Sequence, residues 1–160
     1  MSPLFFSTIE VTRQAFYRSG LSFAIVNLKH VLVIPTRPVL RLADLNGPEL
    51  SSLMRTVQQV GSVLERAYGA DGLTVACQDG KAAGQSVPHV HFHLLPRKAA
   101  GDRFSGRNND QIYPAVEKAE AELSQQALKV DADENRVARS LKEMEEEANW
   151  LKTFFQEGHP

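Results

Sequence analysis

Apolar positions along the chain switch between two periods. Residues 22–27 (Ser-Phe-Ala-Ile-Val-Asn) and 31–35 (Val-Leu-Val-Ile-Pro) are short apolar runs rich in β-branched residues, and they predict two strands. Leu28-Lys29-His30 separates them, a connector short enough for a hairpin. The period then lengthens. Asn46-Gly47-Pro48-Glu49 supplies a capping residue, a proline at the first helical position and an acid in the first turn. Leu50, Leu53, Met54, Val57, Gly61 and Leu64 follow at helical spacing, predicting a long helix with one apolar stripe that Gly69 ends. Residues 73–78 and 89–95 predict two more strands, the second closed by Pro96. Val137, Leu141, Met144, Ala148, Leu151 and Phe155 predict a C-terminal helix, with Ser140 and Glu143 spaced as a capping box. Strands, helix, strands and a final helix imply an α+β fold: an antiparallel sheet of about five strands with a long central helix and a C-terminal helix.

The remaining stretches divide the chain. Residues 99–114 are rich in glycine, polar and charged residues, and 115–135 are mostly polar. We expect one catalytic domain over 1–114, a flexible polar segment with some helical tendency over 115–135, and a helix over 136–157 packing on the same domain. The acids Glu143, Glu145, Glu146 and Glu147 are expected on a solvated face. With 160 residues, 42% of them apolar and 23% charged, the chain has the makings of a single packed core.

Charge narrows the partners. The net charge is −1, whereas a protein gripping nucleic acid by its phosphates is usually basic. A small anionic ligand remains compatible, because backbone N–H groups, histidines and a divalent cation can neutralise phosphate locally. The single cysteine, Cys77, cannot form an intrachain disulfide. It reads as a buried structural thiol in an intracellular protein, cytoplasmic or nuclear. No apolar run approaches the ~20 residues of a membrane helix, and residues 1–7 lack the features of a secretory signal.

The chemistry concentrates in Pro88-His89-Val90-His91-Phe92-His93-Leu94-Leu95-Pro96. On a strand, His89, His91 and His93 share one face at about 6.6–6.8 Å intervals, while Val90, Phe92 and Leu94 face a core. Four readings compete: three solvated histidines, a metal site, general acid–base catalysis, and nucleophilic catalysis by the middle histidine. The last is favoured on chemical grounds. A neutral imidazole is a good nucleophile near pH 7, and attack on phosphorus gives a phosphoramidate that water can cleave, so one hard displacement becomes two easier ones.

These residues resemble the histidine-triad signature, His-φ-His-φ-His-φ-φ. Gln78-Asp79-Gly80, Ala83-Gly84-Gln85-Ser86-Val87-Pro88-His89 and Leu95-Pro96-Arg97-Lys98 resemble more specifically the fragile-histidine-triad branch, the dinucleoside triphosphate hydrolases, over most of residues 4–114. The terminal Glu-Met-Glu-Glu-Glu-Ala helix is similar to that of fungal members. The resemblance implies a homodimer with the histidine-triad fold. It implies that His91 is the nucleophile, that His93 lies near the scissile phosphate, and that His89 holds His91. It further implies that Gln85 and the Gly84–Val87 loop, Ser86 included, contact phosphates and leaving group. Asn27 and Gln78 would bind nucleoside and ribose, with His30 behind the triad. Phe6, Ile25 and Leu32 are candidates for an apolar base pocket or for plain core.

The chain departs from the family at one turn. Relatives place Pro-φ-φ-Pro-Gly-His between the first two predicted strands, whereas here Lys29 runs directly into His30. Residues omitted from the sequence at this point would account for it, since both flanks fit. Thr8 stands where some members carry a histidine. The resemblance implies hydrolysis of diadenosine triphosphate to AMP and ADP through nucleotidyl-His91, with Mg²⁺ or Mn²⁺ accompanying the substrate phosphates and no tightly held metal. Arg97 and Lys98 would add charge or be solvated. The alternatives are a nucleoside phosphoramidate hydrolase, a nucleotide-bound signalling module in which Tyr113 is a regulated contact, and a zinc-binding structural domain.

Overall fold

The computed structural model describes residues 1–126 and 139–156. A short hairpin comes first, β1 (Phe5–Phe6) paired with β2 (Ile9–Glu10). Then come β3 (Ala15–Arg18), β4 (Ser22–Val26), β5 (Val31–Pro35), helix α1 (Gly47–Tyr68), β6 (Gly72–Ala76) and β7 (Phe92–Arg97). Helices α2 (Ile112–Gln126) and α3 (Leu141–Gln156) follow. The main sheet has five strands in the order β3-β4-β5-β7-β6, every pair antiparallel. The β4–β5 hairpin closes through Asn27, whose N–H donates to the His30 carbonyl at 2.8 Å. The residues present thus join both strands in a tight turn.

Both faces of the central strands are covered, which is why β4 and β5 are apolar throughout rather than alternating. Ala24, Val26, Val31, Val33 and Leu94 point to one face and pack with Leu53, Val60 and Leu64 of α1 and with Met144, Ala148 and Leu151 of α3. Phe23, Ile25, Leu32 and Ile34 point to the other and pack with Leu4, Phe6, Val11, Val87 and Leu123. Val90 and Leu94 lie in the first cluster, with Phe92 against it, as the alternation predicts.

The caps are those the sequence marks. Asn46 Oδ1 accepts from the Glu49 N–H and the Glu49 carboxylate accepts from the Asn46 N–H, both at 2.9 Å; Gly69 ends α1 at φ 60°. Ser140 and Glu143 cap α3 in the same reciprocal way. The buried stripe of α1 is rotated from the expected one. Leu53, Thr56, Val60, Gly61, Val63 and Leu64 face the sheet, while Leu50 and Met54 stay 44% and 39% exposed. Gly61 marks the closest approach: a Cβ there would stand 2.6 Å from Leu73 Cδ1.

Three further expectations need correction. Strand β7 runs from Phe92 to Arg97 rather than 89 to 95, because the Val90 N–H is taken by the Val39 carbonyl at 2.8 Å and the ladder continues past Pro96 to Arg97 opposite Gly72. The tract expected to be flexible is helical over Ile112–Gln126, burying Ile112, Val116, Ala119 and Leu123; residues 127–135, and Val137 of the expected apolar series, lie outside the described residues. Cys77 is half-buried rather than buried, and burial beside Asp79 and Glu120 pushes its thiol up to about 11.

Candidate active site

His89, His91 and His93 come together on the second face, although only His93 sits in the sheet ladder, opposite Leu32 and Ala76. The rings of His91 and His93 lie 5.2 Å apart, and Phe6 packs edge-on to His91 at 5.0 Å. Each imidazole is held on a defined nitrogen, which fixes its tautomer. The Ser7 N–H donates to His89 Nδ1 at 2.9 Å, so His89 carries its proton on Nε2 and donates it to the Pro35 carbonyl at 2.8 Å. His91 Nδ1 lies 2.7 Å from the His89 carbonyl. A carbonyl only accepts, so the His91 proton is on Nδ1 and Nε2 is the nitrogen that faces the site. That is the arrangement a nucleophilic imidazole requires.

His30 is buried behind His93, with Nε2 2.6 Å from His93 Nδ1. Burial first, and the neighbouring His93 next, push His30 down to about 3. Because the Glu120 carboxylate, 2.8 Å from His93 Nε2, only accepts, the His93 proton is on Nε2 and its Nδ1 accepts from His30 Nε2–H. His93 then presents Nε2–H on its far side. Burial also lowers the His93 pKa against the opposing pull of Glu120, and it lowers that of His89 against the Pro35 carbonyl.

One site residue went unread in the sequence. Glu120 of α2 places Oε2 2.6 Å from His91 Nε2 and 2.8 Å from His93 Nε2. Its Oε1 accepts from the Ser86 N–H at 2.9 Å, and the Ser86 hydroxyl, 3.2 Å from Oε1, donates to the Glu120 main-chain carbonyl at 2.5 Å. Burial would raise this carboxyl; the hydrogen bonds from His91 and His93, the His91 charge and the Ser86 N–H outweigh it and hold the group below the usual carboxylate range. His89, His91 and His93 are 0%, 1% and 0% exposed, with Glu120 of α2 seated directly on the last two. The spacing of Ile112, Val116, Ala119 and Leu123 in the sequence could have revealed that helix; nothing in the sequence marks Glu120 as the residue aimed inward.

The other expected site residues divide into two groups. Ser86 reaches the carboxylate, as above. Gln78 lies two residues beyond Ala76, the cross-strand partner of His93. Gly84, at φ 93°, lets it approach: a Cβ there would stand 3.1 Å from Gln78 Nε2. Gln78 Oε1 is buried with no hydrogen-bond partner among the described residues. Asn27 is buried at the β4 end of the hairpin. Gln85 instead braces the loop. Its Oε1 accepts from the Gly80 N–H, and its Nε2 donates to the Leu40 and Val87 carbonyls. Val87 contributes its side chain to the second core cluster. Arg97 is also structural, tied to Asp102, Thr74 and Phe104. Phe6, Ile25 and Leu32 are core residues of the second face. Thr8 and Tyr113 are exposed, Tyr113 at 64% on α2.

His91, His93 and Glu120 offer ligand atoms within 4.8 Å of one another. Two imidazoles and one carboxylate do not suit Mg²⁺, which prefers carboxylates, phosphates and retained waters, and hydrogen bonds account for all three groups as they stand.

Comparison with known proteins agrees with this geometry. The chain is 49% identical over 148 residues to a bifunctional bis(5'-adenosyl)-triphosphatase/adenylylsulfatase from Arabidopsis thaliana, covering 89% of this chain and 78% of the relative. It is 43% identical to an asymmetrical bis(5'-nucleosyl)-tetraphosphatase from Schizosaccharomyces pombe, covering 96% and 95%. Among solved structures it superposes on the NitFhit protein of C. elegans with a TM-score of 0.71 at 33% identity, over 95% of this chain and 30% of that one. A family model, the HIT domain, matches residues 8–100, more than half of the length, and the chain belongs to the HIT-domain family.

Proposed function

We propose that this protein hydrolyses diadenosine triphosphate and related dinucleoside polyphosphates, releasing AMP and ADP from the triphosphate. The observation that carries the reading is the Nδ1-to-carbonyl bond of His91, which leaves Nε2 turned toward a cluster of anion donors. In the first step His91 Nε2 forms a bond to the α-phosphorus, the α–β anhydride P–O bond breaks and ADP leaves. In the second, water attacks the same phosphorus, the P–N bond breaks and AMP leaves. His93 Nε2–H and the Ser86 N–H and hydroxyl are the donors for charge developing on the phosphoryl oxygens. Gln78 Oε1 lacks a donor that a ribose hydroxyl would supply. A divalent cation travels with the bridge phosphates as part of the substrate.

The names of both sequence relatives describe phosphoanhydride hydrolases, which favours anhydride over amine-linked nucleotides. We also propose a homodimer in an intracellular compartment. β6 is an edge strand with Val75 exposed, and an exposed edge is commonly paired or covered. The test of function is product analysis on diadenosine tri- and tetraphosphate beside an amine-linked adenylate. AMP with ADP from the triphosphate, at higher kcat/KM than cleavage of the amine-linked compound, supports the reading. Faster cleavage of the amine-linked compound overturns it.

A further inference from the structure

Resting on that reading of the site, we propose that α2 is a built-in substrate mimic: with the helix seated, Glu120 takes the place of the attacked phosphate, and Leu123 anchors the helix in the apolar cluster beneath it. The helix must withdraw before a dinucleotide can enter.

Four observations support this. First, the nucleophile is inaccessible as the helix stands, at 1% exposure; a dinucleotide cannot reach Nε2 past α2. Second, one carboxylate collects donors a phosphoryl group would need, two imidazole nitrogens and the Ser86 N–H, while the Ser86 hydroxyl donates to the main-chain carbonyl of the same Glu120 at 2.5 Å. Carboxylate and phosphate share planar or near-planar pairs of anionic oxygens that accept charge-assisted bonds. Third, Leu123 lies three positions further on, hence on the same side of the helix. It packs into the apolar cluster that holds Phe6, Ile25 and Leu32, beside the histidines. Fourth, the imitation is incomplete in the expected way. Among the described residues nothing, α2 included, offers a partner to Gln78 Oε1.

The block is chemical as well as steric. Glu120 Oε2 lies 2.6 Å from His91 Nε2, and the seated helix therefore engages the nitrogen that must reach phosphorus. Outside the site the helix is held by the burial of Ile112, Val116, Ala119 and Leu123 and by the Lys29–Glu122 pair at 3.2 Å.

The test measures diadenosine triphosphate hydrolysis by the full-length wild type, Glu120→Ala, Glu120→Gln, Leu123→Ala and, as a control on the exposed face of α2, Glu117→Ala. Apparent affinity is reduced by the fraction of molecules with the helix seated. Glu120→Ala should lower KM roughly tenfold with kcat undiminished, Glu120→Gln and Leu123→Ala should lower it less, and Glu117→Ala should leave it unchanged. A second arm follows amide hydrogen exchange in α2 with and without AMP, which needs no turnover. Faster exchange of α2 on adding AMP supports displacement. Unchanged α2 exchange with AMP, an unchanged KM in Glu120→Ala, or a collapse of kcat that makes Glu120 a catalytic group would each overturn the mimic. A Leu123→Ala variant with lower Tm but unchanged KM would show that seating of the helix does not limit substrate entry, and would overturn the mimic. Absence of hydrolysis in wild type and in Glu120→Ala alike would overturn the hydrolase reading, and the exchange arm would still decide the mimic.

Discussion

At the scale of single residues, function rests on which ring nitrogen carries a proton. His89 and His91 are held on backbone partners, the Ser7 N–H, the Pro35 carbonyl and the His89 carbonyl itself, so their tautomers follow from the fold rather than from pH. His93 instead depends on another side chain, His30. Removing His30 should free the His93 ring to rotate and to exchange tautomers. We expect His30→Ala to lower kcat by roughly tenfold, with little change in KM, as loss of an orienting partner typically does. Steady-state kinetics on diadenosine triphosphate check this; a change confined to KM would contradict it. The three histidines and Ser86 were legible in the sequence because alternation and the family motif mark them. The bracing of the loop by Gln85 was not legible: a loop glutamine that holds backbone groups and one that touches only phosphate look alike until the hydrogen bonds are known.

Among the elements, α1 shows how a local signal and tertiary packing divide the work. Its caps were legible because capping is settled within four residues. Its buried face was not, because Leu53, Val60 and Leu64 are chosen by the sheet they meet, leaving Leu50 and Met54 outside. Helix α2 was obscured for a related reason: a helix covering a site carries few apolar residues, and its inward Glu120 reads as one more surface charge. The α1 cap also makes a pH prediction. The Arg37 side chain, at 2.6 Å, and the Asn46 N–H hold Glu49 down to about 2. A carboxyl with a lowered folded-state pKa stabilises the protein above its ordinary value of about 4.3 and loses that contribution as pH falls toward 2. Glu49→Gln should therefore lower Tm at pH 7 and show a smaller loss of Tm than wild type between pH 5 and pH 2. Parallel curves over that window would show that Glu49 is not the titrating group.

Across the whole molecule, a near-neutral chain handles a highly charged substrate by concentrating donors at one point instead of spreading positive charge over a surface. Salt should accordingly weaken substrate binding far less than it weakens a protein that grips phosphates with many lysines. Four of the sheet strands, the antiparallel class, the long helix and the C-terminal helix were legible from hydrophobic periodicity, whereas the strand order and β1 to β3 were not, since short strands of two to four residues carry too little pattern to mark them. The coverage of the active face by α2 was not, since it depends on contacts between residues about 30 positions apart, Glu120 with His91 and His93. The exposed β6 edge leads to the expectation of twice the 17.7 kDa chain mass by light scattering; a mass of one chain at micromolar concentration would contradict the homodimer.

The central claim is that His91 Nε2 forms a bond to phosphorus. Acid is destructive to phosphoramidates, so the direct measurement is mass spectrometry of enzyme mixed with diadenosine triphosphate and quenched within milliseconds in alkaline denaturant. The predicted result is an adenylyl group on the peptide containing His91, absent from His91→Ala, whose kcat falls by about 10⁴-fold or more. Wild-type turnover by His91→Ala, or an adduct located on another residue, would contradict it.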